Sequence, residues 1–225
     1  MSSLVLTIWL VSLTKRLVRR AAQPPDSRDR LLAAAAARFA AGGFAGTSVD
    51  AIAAAARVNK AMIYYHFGSK AALYREILRD MFGAVAVRAR AAAASAVPPE
   101  DKIRAFVEAI AFEADARPHF PPIWFREIAE EGRHLDAATV RNIASVVTAL
   151  EAIIKEGVSA RRFRPMNPVL VHAGIIGPLL LYFASGRMRQ RLGRGGVTGA
   201  SRLRREEIVA HVQRVALAML EGRQS

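Results

Sequence analysis

The side chains best equipped for chemistry in this chain stand close together. Between Asn59 and Lys70 lie Asn59, Lys60, Tyr64, Tyr65, His66, Ser69 and Lys70, a dense run of hydrogen-bonding groups with two ammonium charges. Groups of this kind bind polar edges and anions. Catalysis needs something else, a nucleophile with its base or an acid–base pair, and no phosphate loop or His/acid motif of that sort occurs. There is no cysteine, which excludes disulfides and thiol chemistry. A zinc site would have to use His and carboxylate ligands alone. The five histidines are scattered, without a pair at the close helical spacing such sites prefer. The expectation is therefore no enzyme, no metal and no cofactor.

The elements that must hold the polar run can be read from breakers and caps. Gln23-Pro24-Pro25 interrupts the chain, and Asp26 or Ser27 can cap a helix to about Ala41, with Leu31, Leu32, Ala35 and Phe39 on one stripe. Gly42-Gly43 ends it. Thr47 is placed to cap a short helix, Ser48–Ala56, with Asp50 completing a weak capping box. Arg57-Val58 turns the chain, and Asn59 can cap a second short helix, Lys60–His66. Gly68 suits a positive φ. Ser69 then caps a long helix through Leu73, Ile77 and Met81 toward Ala94. Two short helices around a tight turn, the second polar and basic, form a helix-turn-helix. Its second helix fits the major groove and meets base edges and phosphates. Ile52, Val58, Ile63, Phe67 and Leu73 would be its core.

Charge agrees with this placement. The chain carries a net +14, and residues 1–75 hold eleven Lys/Arg against three acids, or +8. The remaining two thirds carry twenty-two against sixteen, or +6. A genome rich in G and C favours arginine throughout, but does not account for the shortage of acids in the first third. A basic module suits a polyanion.

No segment alternates with period two, so the chain is expected to be all-α. Beyond Pro98-Pro99 the helical stripes fall at Asp101–Ala116, Ile123–Glu131 after the Pro118, Pro121 and Pro122 breaks, Asp136–Glu156 (Val140, Ile143, Val147, Leu150, Ile154), Val169–Ser185 and Leu203–Glu221. Arg161–Pro168 reads as a connector and Gly186–Ser201 as a mobile loop. Val169–Ser185 is almost wholly apolar but only 17 residues long and holds two glycines and a proline, which suits a core or subunit-interface helix. Leu4–Leu13 is too short for a membrane span, which needs about 20 apolar residues. It lacks the layout of a secretory signal. Residues 1–25 are read as an N-terminal extension, disordered or amphipathic, or as a stretch translated from an over-early start.

Thr47-Ser48-Val49-Asp50-Ala51-Ile52-Ala53 and Val58-Asn59-Lys60-Ala61-Met62-Ile63-Tyr64-Tyr65-His66-Phe67-Gly68-Ser69-Lys70 together resemble the DNA-binding signature of TetR-type regulators. Agreement is strongest at Tyr64, His66, Phe67, Ser69 and Lys70. The resemblance implies an N-terminal three-helix helix-turn-helix domain, residues 26–75, and a helical ligand-binding and dimerisation domain, residues 76–225. It implies that Tyr64, Tyr65 and His66 lie at the DNA surface, with His66 and Lys70 on phosphates, Ser48 adding a backbone contact, and Asn59 and Lys60 nearest the bases. Asn59 in that position can equally serve only as a cap. Arg57 stands where the family has Gly; a left-handed backbone there would cost about 1 kcal/mol. Ala61 and Met62 also depart from the pattern, Met62 removing a hydroxyl.

Further expectations follow from the resemblance. The chain would be a cytoplasmic repressor binding a palindromic operator in double-stranded DNA as a homodimer, and would be released by a small hydrophobic effector. Val169–Ser185 and Leu203–Glu221 would pair with their symmetry mates. Phe106, Ile110, Phe120, Trp124, Phe125, Ile128 and Tyr182 could line the effector pocket, with Glu113, His119, Glu127 and His134 as polar groups. The rival readings are a membrane-associated protein and a nucleoid-type DNA binder without an effector.

Overall fold

Ten α-helices and no strand form among residues 26–221, the part of the chain that the computed structural model describes. The expected extension, residues 1–25, and the last four residues lie outside it. The helices are α1 (Ser27–Gly42), α2 (Val49–Ala56), α3 (Ala61–Phe67), α4 (Lys70–Ala94), α5 (Pro99–Ala116), α6 (Phe120–Ala129), α7 (Ala137–Ser159), α8 (Pro168–Ala184), α9 (Gly186–Arg194) and α10 (Arg205–Glu221).

The first three helices form a small head closed by the start of α4. Leu31, Ala35 and Phe39 of α1 meet Ile52 of α2, Ile63 of α3 and Leu73 and Tyr74 of α4, all fully or nearly fully buried. Val58 and Phe67 pack against this core from its rim. The α2 cap differs from expectation. Thr47 is buried, and its hydroxyl donates within the α1–α2 turn, to Gly43 O at 2.8 Å and Arg38 O at 3.1 Å. Ser48 takes over the cap, its Oγ accepting from Ala51 N at 3.1 Å, so α2 starts one residue later. The same turn needs Gly46, because a Cβ there would stand 2.4 Å from Gly42 O. Gly68 has the expected positive φ, and Ser69 Oγ caps α4 by accepting from Ala72 N at 3.0 Å.

The C-terminal helices assemble along α4. α5 and α7 pack on it, α8 and α10 pack on each other and on α5, and α6 lies between the head's α1 and α8. Three sequence expectations change. α6 begins at Phe120, with Pro121 and Pro122 inside its first turn, where a missing N–H has no intrahelical acceptor to disappoint. Those prolines open the helix and do not precede it. The buried face of α7 runs through Thr139, Val146, Leu150, Ile153 and Gly157, which leaves Val140 half-exposed. Leu150 and Ile154 of the expected stripe are buried as well, whereas Ile143 and Val147 lie at its edge, so packing rotates the buried face slightly toward Val146 and Ile153. Finally, residues 186–194 are helical, not loop. Arg189 lies 4.0 Å above the Tyr182 ring and donates to Ser185 Oγ at 2.9 Å, which fastens α9 to the end of α8. The glycines that suggested mobility fall mostly after Arg194.

Only α7, among the described helices, is by itself long and apolar enough to cross a membrane. One face of it is occupied by α4, α5 and α8.

Gly157 shows how tightly α7 is fitted. A Cβ there would lie 2.0 Å from Cδ2 of buried Phe163. Gly to Ala in a helix normally gains about 1 kcal/mol. Here Gly157→Ala should instead destabilise by about 1–3 kcal/mol, as overpacking does. Urea denaturation measures the sign.

Candidate nucleic-acid interface

α2, the Arg57–Lys60 turn and α3 carry the residues expected to meet DNA. Arg57 is left-handed, φ 54° and ψ 48°, and its N–H closes α2 onto Ala54 O at 3.2 Å. An arginine thus tolerates a conformation that glycine would adopt freely, with its side chain exposed. Asn59 Oδ1 accepts from Ala61 N at 2.8 Å, so the side chain caps α3, which starts one residue later than expected. Asn59 and Lys60 are both exposed. Lys60 Nζ rests 3.1 Å from Asp50, in a pair whose side chains are 62% and 74% exposed. An exposed pair holds so weakly that a phosphate could displace the carboxylate.

Further along α3, Tyr64 and Tyr65 are 54% and 79% exposed. The buried side of the helix is Ile63 alone. His66 is turned partly inward, its Nε2 2.8 Å from Ser27 Oγ and its ring 5.0 Å from that of Tyr65. This fixes one ring nitrogen on α1.

Lys70 is placed differently from the phosphate contact expected of it. Its ammonium donates to Phe44 O at 2.9 Å and Thr47 O at 3.0 Å and lies 4.3 Å above the Phe44 ring. Two turn carbonyls recruit the charge, Thr47 O and the Phe44 O that Thr47 N reaches only at 3.4 Å, so Lys70 clamps the α1–α2 turn that sets the start of α2. Ser48, the next residue, is exposed but already caps that helix. Lys60, Tyr64 and Tyr65 are thus presented outward, His66 and Lys70 are committed to holding the head, and Ser48 and Asn59 are exposed but each spends its side-chain oxygen on a helix cap.

The expected effector pocket is brought together only in part. Ile110, Phe120 and Trp124 line a narrow cavity of about 20 Å³ with Phe82, Val85, Ile143, Val146, His172 and Ile176. Phe82 makes edge contacts with Phe120 and Trp124 at 5.5 and 4.8 Å. Helical spacing explains the other candidates. α6 turns Phe120, Ile123, Trp124 and Glu127 inward, which points Phe125 (38% exposed) and Ile128 (55%) to solvent. Phe106 is buried in the core away from the cavity lining, and Tyr182 donates to Leu203 O at the far end of α8. His172 was missed. A lone histidine in the apolar run of α8 was its only signal. Burial pushes its pKa down, which favours the neutral ring. Glu113 is tied to Arg88 and Arg117, and His119 lines a separate groove beside Arg28, Glu76 and Asp80.

Glu127 and His134 occupy the joint between head and bundle. Tyr74 OH donates to Glu127 Oε1 at 2.7 Å, and His134 Nδ1 lies 2.9 Å from the same oxygen. Burial and the adjoining carboxylate push the Tyr74 pKa far up, keeping the hydroxyl protonated as a donor. Nearby, Arg126 Nη2 donates to Ala41 O at 3.0 Å.

α8 also presents an unpartnered stripe. Leu170, Ala173, Gly177, Leu181 and Ala184 are exposed at spacings of three and four. On α10, His211, Val215 and Ala218 are exposed in the same manner.

Comparison with known proteins gives these surfaces a context. Residues 31–77 match a family model described as bacterial regulatory proteins, tetR family, and residues 99–214 match one described as a tetracyclin repressor-like C-terminal domain. The chain is 29% identical to the HTH-type transcriptional repressor NicS of Pseudomonas putida, over 76% of this chain and 81% of the relative. It is 32% identical to the HTH-type transcriptional repressor KstR2 of Mycolicibacterium smegmatis, over 64% of this chain and 70% of the relative. The solved structure of the ketosteroid transcriptional regulator KstR2 of Mycobacterium tuberculosis superposes with a TM-score of 0.68 at 20% identity, covering 89% of this chain and 98% of that one.

The different commitments of the two lysines can be separated by stability. Lys70→Met strands Thr47 O and leaves Phe44 O with one long bond, and should cost about 1–3 kcal/mol in urea denaturation. Lys60→Ala, at an exposed pair, should stay within about 0.5 kcal/mol of the parent.

Proposed function

The chain belongs to the tetR family of bacterial regulatory proteins, and from that premise we propose that it is a cytoplasmic, ligand-responsive repressor that binds a palindromic operator as a homodimer. The observation that carries the DNA-reading surface is the pair of exposed tyrosines on α3 beside Asn59 and Lys60. Two adjacent aromatic side chains so open to water have no role in the head's own core. Each offers a hydroxyl and a flat face to sugar-phosphate or base edges. Asn59 and Lys60, where α3 begins, are nearest the bases. Arg57 adds a charge at the rim. His66 and Lys70 reach phosphate only with donors left over from their internal bonds, so they act chiefly by fixing α3 and the α1–α2 turn.

One seven-residue helix makes few contacts, and a two-fold dimer doubles them. Half-sites on one face of the duplex repeat every 34–36 Å or so. The exposed stripe of α8, joined by α10, is the self-complementary surface proposed for the dimer. Gly177 supports close approach, since nothing lies within 4 Å of where its Cβ would be.

The effector reading rests on the cavity among α4, α5, α6, α7 and α8. At about 20 Å³ it holds roughly one water, so a ligand has to spread these helices. Its lining is aromatic and aliphatic, with the His172 ring and the Trp124 indole N–H as its polar groups. An apolar effector with one hydrogen-bonding function fits that chemistry. Spreading the cavity displaces α4 and α6. Both lead into the head, α4 directly and α6 through Glu127 and Arg126, so the spacing of the two heads changes and operator affinity falls.

Selection from random DNA should recover a palindrome, and footprinting should show one discrete site; uniform protection of any duplex would sink the repressor reading in favour of a nucleoid-type binder. Tyr64→Ala and Lys60→Ala should each weaken operator binding by about tenfold or more, equivalent to about 1.4 kcal/mol, with unchanged helicity. Leu181→Arg should yield monomers in sedimentation and abolish tight operator binding. Ile176→Trp, whose added bulk exceeds the cavity, should spread the helices as a ligand would, so operator binding weakens without effector and responds no further to it.

A further inference from the structure

The joint between head and bundle contains a constellation that DNA binding does not use. We propose that Glu127, Glu130 and His134 form a binding site for a divalent transition-metal cation of the zinc class. The proposal goes beyond the repressor reading and does not depend on it.

The fold of the α6–α7 connection builds the site. Glu131 and Gly132 are both left-handed, with φ 59° and 69°, and Gly132 N donates back to Glu127 O at 2.7 Å. Leu135 N then donates to Gly132 O at 2.9 Å. This reversal brings His134, seven residues beyond Glu127, over the end of α6. His134 Nδ1 stands 2.9 Å from Glu127 Oε1 and 3.7 Å from Glu130 Oε2. One ligand atom from each of the three residues lies within 4.8 Å of the others. Ligands on a tetrahedral cation with bonds of 2.0–2.2 Å are about 3.5 Å apart. The two distances from Nδ1 bracket that separation.

A second observation points to an occupant. The Glu127 side chain is 1% exposed; its Oε1 accepts from Tyr74 and faces His134 Nδ1 at 2.9 Å, where a metal would take the place of any proton between them. Oε2 is equally buried and has no partner. A stranded carboxylate oxygen carries a large desolvation cost, and protonating it would only exchange a missing donor for a missing acceptor. A cation satisfies it. An ordered water could satisfy that one atom, but the convergence of a second carboxylate and an imidazole is additional to what a water requires.

The donor set selects the class. Magnesium and calcium prefer oxygen ligands throughout, whereas imidazole suits zinc and its neighbours. Three protein ligands with one position left open is an arrangement zinc adopts. His134 and Glu130 are 16% and 27% exposed, so a path from solvent reaches the site. Arg133 donates to Glu130 Oε2 at 2.7 and 2.9 Å, but with 63% of its side chain exposed it can swing clear.

The location gives such a cation leverage. The His134 ring lies 4.5 Å from Phe44 and 5.3 Å from Tyr74, between the α1–α2 turn and the start of α4. Fixing His134 on Glu127 would hold the head against α6.

The test uses the full chain stripped with chelator and titrated with zinc chloride by calorimetry, in parallel with thermal melts in zinc or magnesium chloride. One zinc per chain should bind, and zinc, not magnesium, should raise the Tm. His134→Ala removes a ligand and should weaken zinc binding by more than the 10–100-fold or so that outer-shell partners account for. Glu130→Ala, at a partly exposed position outside the packed core, is the second variant and decides the matter if His134→Ala does not fold. Equal zinc affinity in parent and folded variant, or an equal melting shift with magnesium, would overturn the proposal. It would leave a buried water as the partner of Glu127.

Discussion

Head and bundle share one helix, and that constraint governs everything else. α4 runs unbroken for 25 residues, about 37 Å. Its first turns supply Leu73, Tyr74 and Ile77 to the head, and its later turns supply Met81, Phe82, Val85 and Ala89 to the bundle. No breaker interrupts it at residues 75–76, where the family resemblance puts the change of domain. A displacement among α5, α7 and α8 therefore reaches the head without crossing a flexible linker. Gly83 is the only glycine in α4, and Asn142 of α7 lies against it, 3.4 Å from its would-be Cβ.

A single shared helix can still pivot, and polar contacts, buried at Tyr74–Glu127 and more open elsewhere, restrain it. Arg126 and Glu127 of α6 hold, respectively, the end of α1 and Tyr74, so two adjacent residues grip the head from the bundle side. Lys70 performs the complementary task inside the head by closing the α1–α2 turn on Phe44 and Thr47. Charged groups at such places gain little net stability from pairing, because desolvation offsets most of the attraction. Their value is geometric. An apolar contact tolerates sliding, whereas a bond to one carbonyl or one carboxylate oxygen has a single register.

Legibility in the sequence followed the range of the interactions involved. Elements set by local chemistry were readable: Ser69 as a cap, Gly68 at positive φ, the strain at Arg57, and the three-helix head around Ile52, Ile63 and Leu73. Readings that depended on a partner far along the chain were less secure. Thr47 looked like a cap because nothing local reveals that its hydroxyl closes a turn back to Arg38 and Gly43. Lys70 matched a phosphate-binding pattern, yet its ammonium finds two carbonyls more than twenty residues away. Phe125 and Ile128 share an aromatic and apolar stretch with Trp124, although helical phase puts Phe125 on the opposite side of α6 and leaves Ile128 exposed on its flank. The Glu127–Glu130–His134 cluster was legible only as scattered acids and one histidine. Helical spacing cannot show a loop that doubles back through two left-handed residues.

Exposure on α3 and exposure on α8 are two sides of one physical problem. A head small enough to enter the major groove has a seven-residue reading helix and one buried side chain, Ile63, anchoring it from within. Its affinity for one half-site is limited by that size. A second head, held at fixed separation, converts the second contact into an intramolecular step. The fixed separation must come from the bundle, because α4 is the only covalent route from α3 to the remainder of the described chain. An apolar, glycine-containing stripe on the bundle's outer helix is thus the counterpart of the polar tyrosines on the head. The stripe would be a liability on a monomer. In the proposed two-fold pair it would be the frame against which a small movement of α4 changes the spacing on DNA.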